Sequence, residues 1–356
     1  GTTKEPTPSP SSSPTTPFPT ASPTLSPSKQ PSDVPSESPS YPYPCGILPC
    51  DRERDLKQFY STISDPALFN NPSSPQSLAL DWITNHDTMT ICPSDPDTCH
   101  TIQRYVLAVF YFSSEGYRWA QCSAPSIYDC DEEIENANNN CAKHIMRHNS
   151  NDRIGSLDTD AWLTTSHECN WGGVACHGES TMPELAYCLD QIDFQANNLA
   201  GTIPDEVGSL KSMRYLYLEL GNMSGTIPAA VGTLGNLEAI DLGTNALSGD
   251  IPHEIYGLSS LRELKLNNNK LTGTISTQIG SLDSLRVLNL NRNLLEGEIP
   301  KEVGQLDQVI DVFFSYNNFS GQVASEICDL QTGGSLEKLK VDCLREVVCD
   351  CCTSCS

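Results

Sequence analysis

One register of 24 residues constrains this chain more than any other feature. Asn197, Gly221, Asn245, Asn269, Asn293 and Asn317 fall on it, as do Gly201, Gly225, Gly249, Gly273, Gly297 and Gly321. Leu199, Met223, Leu247, Leu271, Leu295 and Phe319 keep the same interval. Self-similarity at such a period marks stacked coils. No coil buries its own apolar face, and neighbours complete a shared core.

Each recurring residue has a physical job. Apolar triads such as Leu237, Ile240 and Leu242 precede the asparagine, and alternating residues such as Leu264 and Leu266 point inward from a short strand. The asparagine is expected inside the coil, bonding backbone that strands alone leave unpaired. The glycine permits the bend that closes the coil. Ile203–Pro204, Ile227–Pro228, Ile251–Pro252 and Ile299–Pro300 hold the outer side extended. Gly221 breaks the asparagine column, and Ser276 and Ala324 stand in the proline position. A locally softer second turn is expected, without a break.

The pattern resembles the plant-type leucine-rich repeat, L-x-x-L-x-L-x-x-N-x-L-x-G-x-I-P, over about Leu189 to Ala324. Cys169-Asn170-Trp171-Gly172-Gly173-Val174-Ala175-Cys176 is similar to the cysteine-bounded cap before such repeats in plant extracellular proteins. Arg104–Phe112 and Trp162 resemble the rest of that cap. The resemblance implies an α/β solenoid, a right-handed superhelix of six repeats with disulfide-rich caps at both ends. It also implies an extracellular protein that binds proteins, peptides or polysaccharides, or acts structurally. Similar architectures occur in algal secreted proteins.

Composition divides the chain into four zones. Residues 1–44 are Pro/Ser/Thr-rich, 45–188 form a cysteine-rich helical cap, 189–325 the solenoid and 326–356 a cysteine-rich closing cap. Sixteen cysteines flank a cysteine-free middle between Cys188 and Cys328, which implies an oxidising, secretory compartment. Cys169, Cys176, Cys328 and Cys343 are expected in disulfides. Cys169 with Cys176 is a candidate pair by nearness, and the connectivity otherwise stays open. Adjacent Cys351 and Cys352 point to different partners, and a zinc reading of Cys349, Cys351, Cys352 and Cys355 ranks below the disulfide reading. In the first cap, helices are expected over about Arg52–Ile63 behind Asp51, from Pro75 behind Ser74, and over about Ile102–Phe112. Asp129–Asn140 reads as loop. In the second cap, Ile327, Leu330, Leu339 and Val341 are expected to cover the last coil.

The tail has a register of its own. Pro19, Pro23, Pro27, Pro31, Pro35 and Pro39 are each followed by a hydroxyl, at Thr20, Thr24, Ser28, Ser32, Ser36 and Ser40. A polyproline II helix with about 3 residues per turn displays those hydroxyls on all sides. The expectation is an O-glycosylated rod with hydroxyproline at those prolines, a compositional likeness to hydroxyproline-rich wall and matrix glycoproteins.

A net charge of −24 argues against nucleic acid. No run of about 18 apolar residues exists to span a membrane. Asp131-Glu132-Glu133 and Asp95-Pro96-Asp97 lack the spacing of a calcium loop. Cys141, His144 and His148 have metal-like spacing but read better as a helix with one disulfide. No nucleophile elbow, zinc-protease motif or phosphate loop is present, so no catalytic residue, metal or cofactor is expected.

Outward residues of the strands form the concave face in the resembling family. Tyr215, Tyr217, Lys265, Asn289, Arg292, Phe313 and Tyr316 are the candidate binding residues there, since large aromatics suit sugar stacking or protein anchoring. Asn222-Met223-Ser224 and Asn318-Phe319-Ser320 are candidate N-glycosylation sites on one side of the solenoid. The leading functional expectation is a structural glycoprotein that self-associates into a fibre, wall or matrix through its tail. The alternative is a recognition module for a protein, peptide or polysaccharide.

Overall fold

A computed structural model describes residues 45, 47–87, 89–94, 98–125, 131–141, 153–154, 160–177, 187–343 and 347–355. The tail, with its hydroxyproline and O-glycosylation positions, lies outside them, as do residues 95–97 and 142–152.

The 24-residue register becomes a stack of coils. Strands Leu189–Asp193, Tyr215–Tyr217, Ala239–Asp241, Glu263–Lys265, Val287–Asn289, Asp311–Phe313 and Lys338–Val341 pair in parallel, in chain order. Ser354–Cys355 extends this sheet at one end; at the other, Val174–His177 pairs antiparallel onto Leu189–Asp193, and Arg153–Ile154 antiparallel onto Val174–His177. The sheet has ten strands, and its middle member in each coil, from Ile192 to Leu339, is completely buried.

The opposite side of each coil is a short 3-10 turn: Asp205–Ser209, Ala229–Thr233, His253–Gly257, Thr277–Ser281 and Lys301–Gln305. Pro204, Pro228, Pro252 and Pro300 precede four of them, in extended backbone that proline's fixed φ favours. Ser276 stands at the fourth of these five positions and compensates, its hydroxyl accepting a hydrogen bond from Gln278 N. At Ala324 the pattern changes element, and an α-helix, Ser325–Gly333, follows in place of a 3-10 turn.

The asparagines line one interior column. Asn245, Asn269, Asn293 and Asn317 donate through Nδ2 to Leu218, Leu242, Leu266 and Leu290 carbonyls, at 2.9–3.0 Å. Their Oδ1 atoms accept from the Met223, Leu247, Leu271 and Leu295 amides, at 3.0–3.1 Å. Each side chain thereby ties its coil to the one before. Asn197 does the same to the cap: Nδ2 donates to Gln121 O at 2.9 Å and Oδ1 accepts from Gln121 N at 2.7 Å. The cap backbone thus stands in for a preceding coil. At Gly221 the column closes in, so that an added Cβ would meet Asn245 Oδ1 at 2.7 Å.

The first cap is helical. Its helices are Pro49–Tyr60, Pro75–Asn85, Thr98–Ser113 and Asp131–Cys141. The first begins earlier than its sequence suggests, because Pro49 takes the first helical position and Asp51 falls in the first turn. Ser74 caps the second as expected, its hydroxyl accepting from Ser77 N. Asp131–Cys141 replaces the expected loop. Cys141 is bonded to Cys122 at its end.

Cap and solenoid share one buried cluster, running from Leu56 through Trp162, Trp171 and Phe194 to Val347. Gly201, at φ +67°, sits against the Ser113 carbonyl, and Ala200 and Thr202 donate to Ser114 O and Ser113 O. A side chain at Gly201 would strike that helix end.

Seven disulfides are described: Cys45–Cys92, Cys99–Cys188, Cys122–Cys141, Cys169–Cys176, Cys328–Cys351, Cys343–Cys355 and Cys349–Cys352. All four expected cysteines are bonded, and Cys351 and Cys352 take different partners. The zinc reading falls with them. Among the described residues Cys50 is exposed and unpaired. In the closing cap Ile327, Leu330, Leu339 and Val341 are buried over the last coil.

Candidate binding face

Side chains alternate across a strand, so the coils from Tyr215 to Phe314 send their even-numbered members to the core and their odd-numbered members outward. Just before the asparagine column the chain turns through the left-handed region. Ala196, Leu220, Thr244, Asn268, Arg292 and Tyr316 all have φ between 56° and 61°. Arg292 and Tyr316 are therefore presented from a turn at the edge of the sheet.

The structure divides the seven candidate residues into three groups. Nearest the first cap, the Tyr215 and Tyr217 rings lie 6.0 Å apart. Tyr215 donates through its hydroxyl to Glu238 Oε2 at 3.1 Å, and the Arg214 guanidinium lies 5.3 Å from its ring. Tyr217 is only 3% exposed, which corrects its expected role as a large exposed aromatic. Gln191 and Asp193 beside it are buried as well, so the accessible face narrows toward the cap.

The middle of the face is a charged knot. Lys265 Nζ lies 2.6 Å from Glu263 and 3.8 Å from Asp241. Burial, followed by the nearby Glu219 carboxylate, pushes the Asp241 carboxyl up to about 6.

The far end is open. Asn289 and Phe313 are adjacent partners in neighbouring strands, and Lys340 is the next partner along. Lys340 Nζ lies 5.4 Å from the Phe313 ring. Tyr316 is 55% exposed, with Arg292 at 4.4 Å over its ring. Four strand spacings, about 19 Å, separate Tyr217 from Phe313, so the two aromatic groups do not form one patch.

Asn222 and Asn318 are exposed, each one residue past the interior column. Cys141 is held in a disulfide, which removes it as a thiolate ligand. Residues 131–133 are the first of the helix Asp131–Cys141.

A buried charge network escaped the sequence reading. Arg104, completely buried, donates to both Asp87 oxygens at 2.7 Å and to Glu168 Oε2 at 3.1 Å. Its guanidinium lies between the Trp82 and Trp171 rings, at 5.1 and 4.9 Å. His100 Nδ1 lies 2.6 Å from Glu168 Oε1. Burial opposes ionisation of Glu168, but His100, His167 and Arg104 outweigh it and hold the carboxyl near 2. His100, His167 and Glu168 are close enough to be read as metal ligands. The Glu168 carboxylate is already engaged by Arg104, Gln103 and His100, which makes this a structural tie between helix and cap. Its one sequence signal is an arginine inside the apolar run 102–112.

Residues 211–271 and 284–306 match leucine-rich-repeat family profiles. The coils are leucine-rich repeats. No curated protein matches the chain significantly. Among solved structures, the leucine-rich-repeat ectodomain of the receptor kinase SOBIR1 from Arabidopsis thaliana is 28% identical, over 48% of this chain and 90% of that one, with a TM-score of 0.41. The PEPR1–AtPEP1 structure is 29% identical, over 51% of this chain and 24% of that one, with a TM-score of 0.44. A plant ice-binding protein is 28% identical, over 53% and 58% of the two chains, with a TM-score of 0.45. The chain thus spans about a quarter of the PEPR1 structure's length. Among the described residues no helix is long and apolar enough to cross a membrane.

Proposed function

We propose that this leucine-rich-repeat protein is an extracellular recognition module that binds a protein, peptide or polysaccharide on the concave face of its sheet. It acts by binding and not by catalysis. One observation carries the reading: the open end of the face exposes Tyr316 beneath Arg292 and half-exposes Phe313 beneath Lys340, on side chains that serve no part of the core. Large aromatics and arginines are the residues that most often anchor a partner. Seven disulfides suit an oxidising compartment, and exposed Asn222 and Asn318 are the proposed N-glycan acceptors. The assembly reading rests on residues 1–44, outside the described structure, and no contact in the solenoid favours it.

A blocked face tests the proposal. Asn291→Ser turns Asn289 into a glycosylation acceptor at the open end of the face. The full chain secreted from a glycosylating host is applied to peptide and glycan arrays. Wild type is expected to bind at least one probe, and the variant, once mass spectrometry confirms its glycan, to lose that binding at least tenfold. Silent arrays, or binding that survives the glycan, refute the reading.

A further inference from the structure

The charges at the open end of the face are unbalanced in a way the rest of this acidic protein is not. Most basic side chains on the sheet are paired. Arg214 bonds Asp190, Arg262 lies 3.1 Å from Glu238, Lys265 bonds Glu263, and Lys338 lies 3.1 Å from Asp311. Three are not. Among the described residues Arg286, Arg292 and Lys340 have no carboxylate within 4.0 Å, although the chain has 45 acidic residues against 21 basic ones. Arg286 and Arg292 are exposed and Lys340 is half-exposed.

Their placement follows from the coil register. Arg286 and Arg292 flank one strand, Val287–Asn289, on its two sides. Six residues of extended chain set them at most about 20 Å apart. Lys340 stands two strands farther on, about 10 Å away across the sheet. Arg262 precedes Arg286 in the same column, but Glu238 already occupies it. Ile310 follows, and offers no charge. The cations therefore border a patch floored by Asn289, Asn291 and the Phe313 ring. An acidic protein that leaves three cations uncompensated around such a patch favours an anion there.

We infer that this patch binds an anionic oligosaccharide, carrying carboxylate or sulfate groups on its sugar rings. The inference rests on the recognition reading above and names the ligand class of that same face. Arginine forks suit carboxylate and sulfate oxygens. The Asn289 and Asn291 amides offer both donors and acceptors, which polyhydroxyl chains require. Phe313 offers a flat apolar surface to a sugar ring. An acidic peptide shares the charge but anchors by apolar side chains in pockets, and amides occupy the positions where such pockets would have to open.

The test uses the full chain and four probes in titration calorimetry: polygalacturonate, dextran sulfate, uncharged dextran and poly-glutamate. Polygalacturonate, dextran sulfate or both are expected to bind, more weakly as ionic strength rises toward about 0.15 M. Which of the two binds tells carboxylate from sulfate. The triple variant Arg286→Ala/Arg292→Ala/Lys340→Ala is expected to lose at least tenfold. Lys211→Ala/Lys270→Ala, which removes two cations outside the ten-stranded sheet, is expected to lose less than twofold. Equal losses in the two variants mean unspecific charge attraction and overturn the inference. So does poly-glutamate binding as tightly as the sugars, or no binding of either anionic glycan. Thermal melts confirm that these exposed substitutions leave the fold intact. If the anionic glycans fail while the Asn291→Ser block still abolishes array binding, the inference falls and the recognition reading stands.

Discussion

Truncating one column asparagine measures how strongly the coils are tied. Asn293 is 6% exposed, the most enclosed of the four that link coil to coil. Its Nδ2 donates to Leu266 O at 2.9 Å and Leu290 O at 3.1 Å, and its Oδ1 accepts from Leu271 N at 3.1 Å. Asn293→Ala removes these bonds together with a longer one to Asn291 O at 3.4 Å. A buried backbone group stripped of its partner costs about 1–3 kcal/mol. Leu271 N, in the preceding coil, loses this partner, whereas Leu266 O keeps Asn269 Nδ2 at 3.2 Å, so the loss is about 1–3 kcal/mol, with the small cavity adding to it. Urea denaturation followed by circular dichroism reads this as a lower midpoint. Asn291→Ala, two residues earlier on the concave face, is the control and is expected to cost less than about 0.5 kcal/mol. If Asn293→Ala costs under about 1 kcal/mol, or no more than Asn291→Ala, the column is not what ties the coils, and the account of the fold is wrong.

Three further outcomes are expected. Gly172 lies against the Cys122–Cys141 sulfurs, so Gly172→Ala overpacks the cap by about 1–3 kcal/mol, read as a lower melting temperature; an unchanged melt contradicts the packing. Glu168 is held near 2 against an ordinary 4.5. A lowered carboxyl contributes stability fully above about pH 4.5 and loses it as pH falls toward 2, so denaturation curves of Glu168→Gln are expected to lose that part of the acid slope. Asp241 is shifted the other way, from 3.8 to about 6. Its folded state favours the proton, so its contribution is greatest below about pH 4 and is lost as pH rises through 6. Asp241→Asn is therefore expected to stabilise the protein above pH 6 by about 1–2 kcal/mol and to change little at pH 4, measured by denaturant midpoints at the two pH values.

Much of the fold was legible because its determinants are local and repeated. The 24-residue interval of asparagine, glycine and leucine encodes strand, interior bond and bend in each coil. Small departures from it were legible too, although their repair was not: Ser276 supplies a hydroxyl where proline is missing, and Gly221 lets the column draw in on Asn245. The helix Asp131–Cys141 was missed because its residues are mostly polar, and a disulfide at its end holds what an apolar face would otherwise hold.

The binding face was legible only as a set of outward positions. Sequence alone determined which residues leave the core, because a strand's alternation settles that without reference to neighbours. Tertiary structure decided which of them stay accessible and which cations keep a partner. Tyr217 is buried and Phe313, at the same outward position four coils on, is half-exposed. Arg262 finds Glu238 in the adjoining coil, whereas Arg286, one coil on, stands between Arg262 and Ile310 and pairs with no carboxylate among the described residues. Charge compensation depends on groups brought within about 4 Å across separate coils, and Arg104, Asp87 and Glu168 meet in the cap by the same rule. Periodicity places residues within a coil, and only stacking brings their partners within that distance.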